Sequence, residues 1–158
     1  MKLPRLSEML LVVGSCAVLA AIILPVFAQT KGGGPARPGS RCLNNLKQLG
    51  LGEIQYAADN NDRFPSRDTW MDAIYPYVKN RDLYRCPKLA PGAWGYAFNG
   101  ALDRAKTPTD LSVPMIYDSV NPSRNASDLV ASLPSPGRHG GMDYTVRVDG
   151  SVKGIKVP

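Results

Sequence analysis

The feature that most constrains this chain of 158 residues is an uncharged apolar run from Met9 to Ala28. In a helix, its twenty residues cover the ~30 Å hydrocarbon core of a membrane at ~1.5 Å per residue. The apolar part of a cleaved export signal usually has only about 7–15 residues. The length therefore predicts an N-terminal transmembrane helix.

Two other interpretations of this run stay open. The letters "VFA" before Gln29 are compatible with signal-peptidase cleavage after Ala28, and "VGSC" resembles a lipoprotein cleavage box in which Cys16 would carry the lipid. The run continues for twelve residues beyond Cys16, where a lipoprotein normally turns polar. The sequence favours the uncleaved helix.

Glu8 lies at the start of the run and needs an explanation of its own. A carboxylate in a membrane segment is costly unless it has a partner or reaches the interface, so it is a functional candidate by default. The alternative is that Glu8 sits among lipid headgroups, close to Lys2 and Arg5.

A linker and one globular domain are predicted to follow. In "KGGGPARPGS", residues 31–40, continuing a helix would cost about 1 kcal/mol per glycine and about 3 per proline. The predicted organisation is a leader and helix over residues 1–30, a linker over 31–40, and a domain over 41–158. The domain has the length of an ordinary single-core unit.

The periodicity of the domain predicts an α+β fold. Apolar residues repeat every three or four positions from Ser40, the expected N-cap, to about Ala58. A short helix is expected from about Thr69 until Pro76 limits it. Strands are expected at 94–99, 113–119 and 142–148, the last returning through a turn at Asp149-Gly150. The expected architecture is a helix followed by a small antiparallel sheet.

Three cysteines favour an oxidising compartment. Cys16 lies in the apolar run, which leaves Cys42 and Cys86 as an even pair. A bridge between them would stabilise the fold by roughly 4 kcal/mol; the alternative is two separate buried thiols. A zinc site is poorly supported, because the chain has one histidine and no Cys-x-x-Cys.

Several motifs occur in a recognisable order. A short basic leader and Glu8 precede the apolar helix, which ends in "VLAAIILPVFAQ"; then come "RCLNNLKQLGLGEIQYAADNNDRFP", "YPYVKN" with a later "CP", and finally His139 followed after nine residues by Asp149-Gly150. This order resembles type IV prepilins and type II secretion pseudopilins, in the branch with a C-terminal His-x9-Asp-Gly signature. The resemblance covers most of the chain outside residues 90–135.

The resemblance implies a non-enzymatic pilin-like or pseudopilin-like subunit of a type II secretion or type IV pilus-like assembly. It implies a single-pass protein of the cytoplasmic (inner) membrane, with a periplasmic or extracellular C-terminal domain. Its partners would be the membrane and other pilin-like or secretion-assembly subunits. Glu8 would be the fifth mature residue and pair with the α-amino group of a neighbour. The family is cleaved after glycine, whereas Leu3 precedes Pro4 here.

His139 has two interpretations. A turn or a hydrogen bond that holds the final hairpin is favoured over ligand binding, and no motif links this lone histidine to an activated nucleophile. No catalytic residue and no cofactor are therefore expected. The weakly supported exception is calcium at "DNND", residues 59–62, which lacks the spacing and glycine of an EF-hand loop.

A binding module is the alternative function. The aromatic-rich middle of the chain would then bind a glycan or a cell-surface partner. The net charge of +6 includes a basic group at residues 79–88, but Asp82 interrupts it, so a solvated face is favoured and nucleic acid is not expected as a partner.

Overall fold

The computed structural model describes residues 6–28, 39–129 and 132–158. The chain divides into two compact units, Met1–Ala36 and Arg37–Pro158. The first contains helix α1 (Leu6–Ala28), and the second contains all the other elements. Most of the predicted linker lies outside the described residues.

Helix α1 forms where the apolar run predicts a helix, but the transmembrane prediction is wrong. Within the described residues, no helix combines the length and the apolar character needed to cross a membrane. The prediction was based on the absence of charge over twenty residues. The described part of α1 also contains Gly14 and the hydroxyl of Ser15, which donates to the Val12 carbonyl.

Helix α2 (Ser40–Asp59) carries the apolar face that the periodicity predicts. Its N-cap is Gly39, at φ +89°, rather than Ser40, which is the first helical residue. The left-handed backbone favours glycine here, and an added Cβ would lie 2.7 Å from the Tyr144 ring. The buried face comprises Cys42, Leu46, Leu49, Gly50, Gly52, Glu53 and Ala57.

The predicted single helix from Thr69 is two short helices, α3 (Trp70–Ala73) and α4 (Tyr75–Val78). Pro76 is the reason. Its ring and missing N–H do not allow a helix to continue from the preceding turn, yet they are tolerated at the start of a new one. Proline therefore begins the second helix instead of ending the first.

The sheet has five strands: β1 (Tyr96–Asn99), β2 (Pro114–Asp118), β3 (Ser127–Asp128), β4 (Met142–Arg147) and β5 (Val152–Lys156). Their order is β3-β1-β2-β4-β5. After β2 the chain crosses to the other edge of β1. There the two-residue β3 pairs with β1 in parallel. The sheet is therefore mixed, and the prediction of a purely antiparallel sheet is corrected at this edge; the α+β class is confirmed.

The core lies between α2 and one face of the sheet. Gly50 allows α2 to approach β4 so closely that a Cβ there would lie 2.5 Å from Val146 Cγ2. Trp70 stacks on Phe98, with ring centroids 6.1 Å apart, and its Nε1 donates to the Ala126 carbonyl at 3.1 Å. These contacts bring the short helices, the sheet and α2 into one apolar cluster.

Candidate functional site

The candidate site is centred on Asp118, the last residue of β2, whose carboxylate is fully buried. Its Oδ2 accepts hydrogen bonds from the Tyr144 backbone N–H at 2.8 Å and lies 3.1 Å from His139 Nε2. Its Oδ1 accepts from Arg138 Nη1 at 3.2 Å. The antiparallel pairing of β2 with β4 positions these groups, because it brings the segment before β4 alongside the end of β2.

Arg138 joins Asp118 to its surroundings. Its guanidinium also donates to the carbonyls of Gly95 at 3.0 Å and Ser119 at 2.5 Å. The Arg138 backbone N–H donates to Asp143 Oδ1 at 2.9 Å. Arg138 therefore holds the ends of β1 and β2 together through its side chain and contacts the entry to β4 through its backbone. Sequence reasoning missed Arg138, which only tertiary pairing makes distinctive.

His139 is 4% exposed, and its side chain lies between Asp118 and the ring of Tyr144. Its backbone N–H donates to the Met142 carbonyl at 2.9 Å and closes the turn before β4. Its Nδ1 is buried without a hydrogen-bond partner among the described residues. The geometry suits the predicted turn and hydrogen-bonding role, and ligand binding stays open.

Asp143, also missed by the sequence reasoning, lies beside this group with no exposed surface. Burial raises the pKa of its carboxyl, although the hydrogen bond from the Arg138 backbone opposes that shift. Its Oδ2 finds no hydrogen-bond partner in the described part of the chain. A carboxyl in this position favours the protonated form more than an exposed aspartate does.

The predicted disulfide is confirmed. Cys42, in the first turn of α2, is bonded to Cys86, with the two Cα atoms 5.4 Å apart. The alternative of two separate thiols is excluded. Cys86 Sγ lies 3.9 Å from His139 Nε2. The disulfide is therefore next to the cluster of Asp118, Arg138 and His139, called the Asp118 group below.

The structure does not bring the two halves of the His-x9-Asp-Gly signature together. His139 precedes β4, while Asp149 and Gly150 form the turn between β4 and β5, with Gly150 at φ +77°. Six strand residues span about 20 Å. The signature therefore marks both ends of one strand: Asp149 Oδ1 accepts from the Ser151 N–H at 2.8 Å and holds the turn.

Two groups of side chains have their ligand atoms within 4.8 Å of one another: Cys42, Cys86 and His139, and Asp118, His139 and Asp143. Neither includes "DNND". Asp59 Oδ2 instead accepts from the Tyr77 hydroxyl at 2.9 Å, and Asn61 and Asp62 both have φ 57° in the turn that ends α2. This segment has the geometry of a helix C-terminal turn.

Glu8 and Glu53 lie outside the group around Asp118. Glu8 belongs to α1, but its side chain is outside what the structure describes, so its predicted role in assembly stays a prediction. Glu53 was missed, although its spacing from Leu49 and Ala57 places it on the apolar face of α2. It is fully buried, burial raises its pKa well above the ordinary value, and neither carboxyl oxygen has a partner among the described residues.

Comparisons with protein families, with curated proteins and with solved structures find no match to this chain. The fold and the buried site define an α+β domain in which ionic hydrogen bonds and a disulfide hold the ends of three strands to the first turn of a helix.

Proposed function

We propose that this protein is a non-enzymatic, pilin-like or pseudopilin-like subunit of a type II secretion or type IV pilus-like assembly. The C-terminal domain works outside the cytoplasm, at the cytoplasmic membrane where such assemblies are built. The partners are other pilin-like subunits.

The observation that carries the proposal is the exposed apolar surface of α1 among the side chains that the structure describes. Large side chains are 53–66% exposed along this helix: Met9, Leu10, Val12, Val13, Val18 and Leu19. Apolar groups of this size each gain roughly 1.5–3 kcal/mol on burial, and a contiguous exposed apolar surface marks an interaction site. Packing against equivalent helices of sister subunits would bury it.

The disulfide and the separate domain also support the proposal. Disulfides persist in oxidising compartments such as the periplasm and the cell surface, which suits an exported domain. The second unit, Arg37–Pro158, has its own core and sheet. An apolar helix for assembly, joined to a folded outer domain, is the organisation that the resemblance implies.

Cys16 provides the test, because it is exposed on α1 and is the one cysteine outside the disulfide. In native membranes, a short bismaleimide should join α1 helices of neighbouring subunits through Cys16. The expected product is a covalent dimer, identified by mass spectrometry as this chain with itself or with another prepilin-signature protein. Cys16→Ala is the matched control and should abolish it.

A monomer that is never cross-linked, although a maleimide labels Cys16, would contradict helix packing. Cross-links to unrelated proteins only would contradict it too.

A cluster of aromatic and basic side chains favours one second candidate, the binding module. The guanidinium carbon of Arg81 lies 5.2 Å from the Tyr75 ring centroid, and that of Arg85 lies 5.1 Å from the Trp94 ring centroid. Rings flanked by cations can contact a glycan or an anionic surface group. This function predicts that ligand binding survives removal of residues 1–36, whereas assembly would be lost.

A further inference from the structure

The region where the disulfide meets the Asp118 group contains the donor set of a metal site. The two sulfurs of Cys42 and Cys86 and a ring nitrogen of His139 lie within 4.8 Å of one another, and all three residues are buried. Asp118 Oδ2 is 3.1 Å from His139 Nε2. Two cysteines, one histidine and one carboxylate are ligands that zinc accepts in tetrahedral sites.

We propose that reduction of the Cys42–Cys86 disulfide converts this region into a zinc site whose ligands are Cys42, Cys86, His139 and Asp118. The oxidised protein carries the structural disulfide, and the reduced protein carries the metal in the same place. The inference does not depend on the assembly function.

Two of the ligand-to-ligand separations are already close to those around a tetrahedral ion. With Zn–S of about 2.3 Å and Zn–N of about 2.05 Å, sulfur and nitrogen lie roughly 3.6 Å apart, and nitrogen and a carboxylate oxygen roughly 3.3 Å apart. The observed separations are 3.9 Å from Cys86 Sγ to His139 Nε2 and 3.1 Å from that nitrogen to Asp118 Oδ2. His139 Nε2 thus already faces both a sulfur and an oxygen ligand.

The surrounding charges also suit the ion. Two thiolates and one carboxylate give the ligands a charge of −3, which leaves −1 after Zn²⁺ binds. Arg138 donates to Asp118 Oδ1 and supplies the balancing positive charge, while the Tyr144 N–H orients the carboxylate. Such outer contacts position metal ligands in characterised sites.

A groove lies on the histidine side of the ligands. It has a volume of about 580 Å³ and is lined by residues that include Leu43, Met142 and His139, although the His139 side chain itself has no exposed surface. An ion that enters by this groove has to displace the side chains that cover His139.

The chemistry balances through a dithiol reductant. The reductant gives two electrons and two protons to the disulfide, the S–S bond breaks, Cys42 and Cys86 become thiols, and the reductant forms its own disulfide. Zinc binding then releases both thiol protons to solvent.

The test uses the full chain in a mild detergent and Co²⁺ as a spectroscopic probe for zinc. TCEP replaces the dithiol because it adds no competing thiol; its phosphorus takes an oxygen from water as the disulfide is reduced. One equivalent of Co²⁺ should give thiolate-to-metal charge-transfer and tetrahedral visible bands, which Zn²⁺ removes. The oxidised chain should give neither band.

Variants assign the ligands. His139→Ala should weaken Co²⁺ binding more than about 100-fold, beyond the usual effect of an outer contact, while Asp143→Asn, which keeps the acceptor for Arg138, should change it less than about tenfold. If His139→Ala does not fold by circular dichroism, His139→Cys decides: a third thiolate should strengthen the charge-transfer band.

The proposal is wrong if the reduced chain gives no such bands, if the oxidised chain gives them equally, or if they are unaffected by replacing His139. The proposal would also be overturned if reduction unfolds the chain and Co²⁺ then binds equally well with and without His139.

Discussion

At the residue scale, Glu53 is the side chain whose position most conflicts with its chemistry. It is fully buried on the inner face of α2, and burial raises its pKa well above 4.5. The folded state therefore holds a proton that the unfolded chain releases at lower pH. The contribution of Glu53 to stability is greatest below pH 4.5 and is lost as pH rises from there through the folded pKa.

Glu53→Leu should therefore stabilise the protein, by about 1–3 kcal/mol at pH 7, because it removes a buried polar group without a partner. The gain should grow with pH. Urea unfolding at pH 5, 7 and 9 measures it, with Glu53→Gln as the control that removes the proton linkage but keeps a buried polar group. Parallel pH profiles for wild type and Glu53→Leu would refute this account.

Asp118 and Asp143 provide a matched comparison of two buried carboxylates. Asp118→Asn should cost about 3–5 kcal/mol, because it leaves the Arg138 guanidinium without its counter-charge. Asp143→Asn should cost less than about 1 kcal/mol, since burial already favours the neutral form and the amide oxygen can accept from the Arg138 N–H. Chemical denaturation of both variants measures the difference, and equal losses would contradict the assigned roles.

At the element scale, the contact between α2 and β4 depends on a glycine in the helix. Gly50→Ala should gain up to about 1 kcal/mol of helix propensity but lose about 1–3 kcal/mol by overpacking against Val146. The free energy of unfolding should fall. The double variant with Val146→Ala should show a favourable interaction energy between the two changes; strict additivity would indicate that the close approach is not the cause.

The disulfide connects α2 to the segment after the short helices. Cys42→Ser with Cys86→Ser should lower the free energy of unfolding by roughly 4 kcal/mol, because the closed loop restricts the unfolded chain. Thermal unfolding in the presence of a metal chelator measures this loss of stability without any contribution from bound metal. The Cys16→Ala variant is the control and should unfold like the wild type in the same detergent.

At the scale of the whole molecule, the proposed assembly depends on α1. Glu8→Ala should reduce the Cys16 cross-linked dimer in native membranes several-fold, since the neighbour's α-amino group would lose its counter-charge. Ser7→Ala, at an exposed position in the same turn, should leave the dimer unchanged. Equal cross-linking in both variants would remove Glu8 from the assembly mechanism while leaving helix packing intact.

Local patterns predicted the positions of α2 and β4, although in β4 the polar Asp143 and Thr145 are buried and Met142 is exposed. The three- and four-residue spacing located α2, and the alternation from Met142 located β4, because helices and strands each place their apolar residues with a fixed period. The transmembrane prediction is wrong, since no helix among the described residues is long and apolar enough to cross a membrane. The parallel edge strand was missed because β3 has only two residues and no period.

The sequence by itself determined the α+β class, the main helix, the final hairpin and the cysteine pair, since each depends on local spacing or on a count of residues. Only the tertiary structure decided that Asp118, Arg138 and His139 share one buried group beside the disulfide. Asp118 lies 20 residues before Arg138, and the pairing of β2 with β4 brings their polar groups within hydrogen-bonding distance. The same holds for Gly50 and Val146, whose contact exists only because α2 packs on β4.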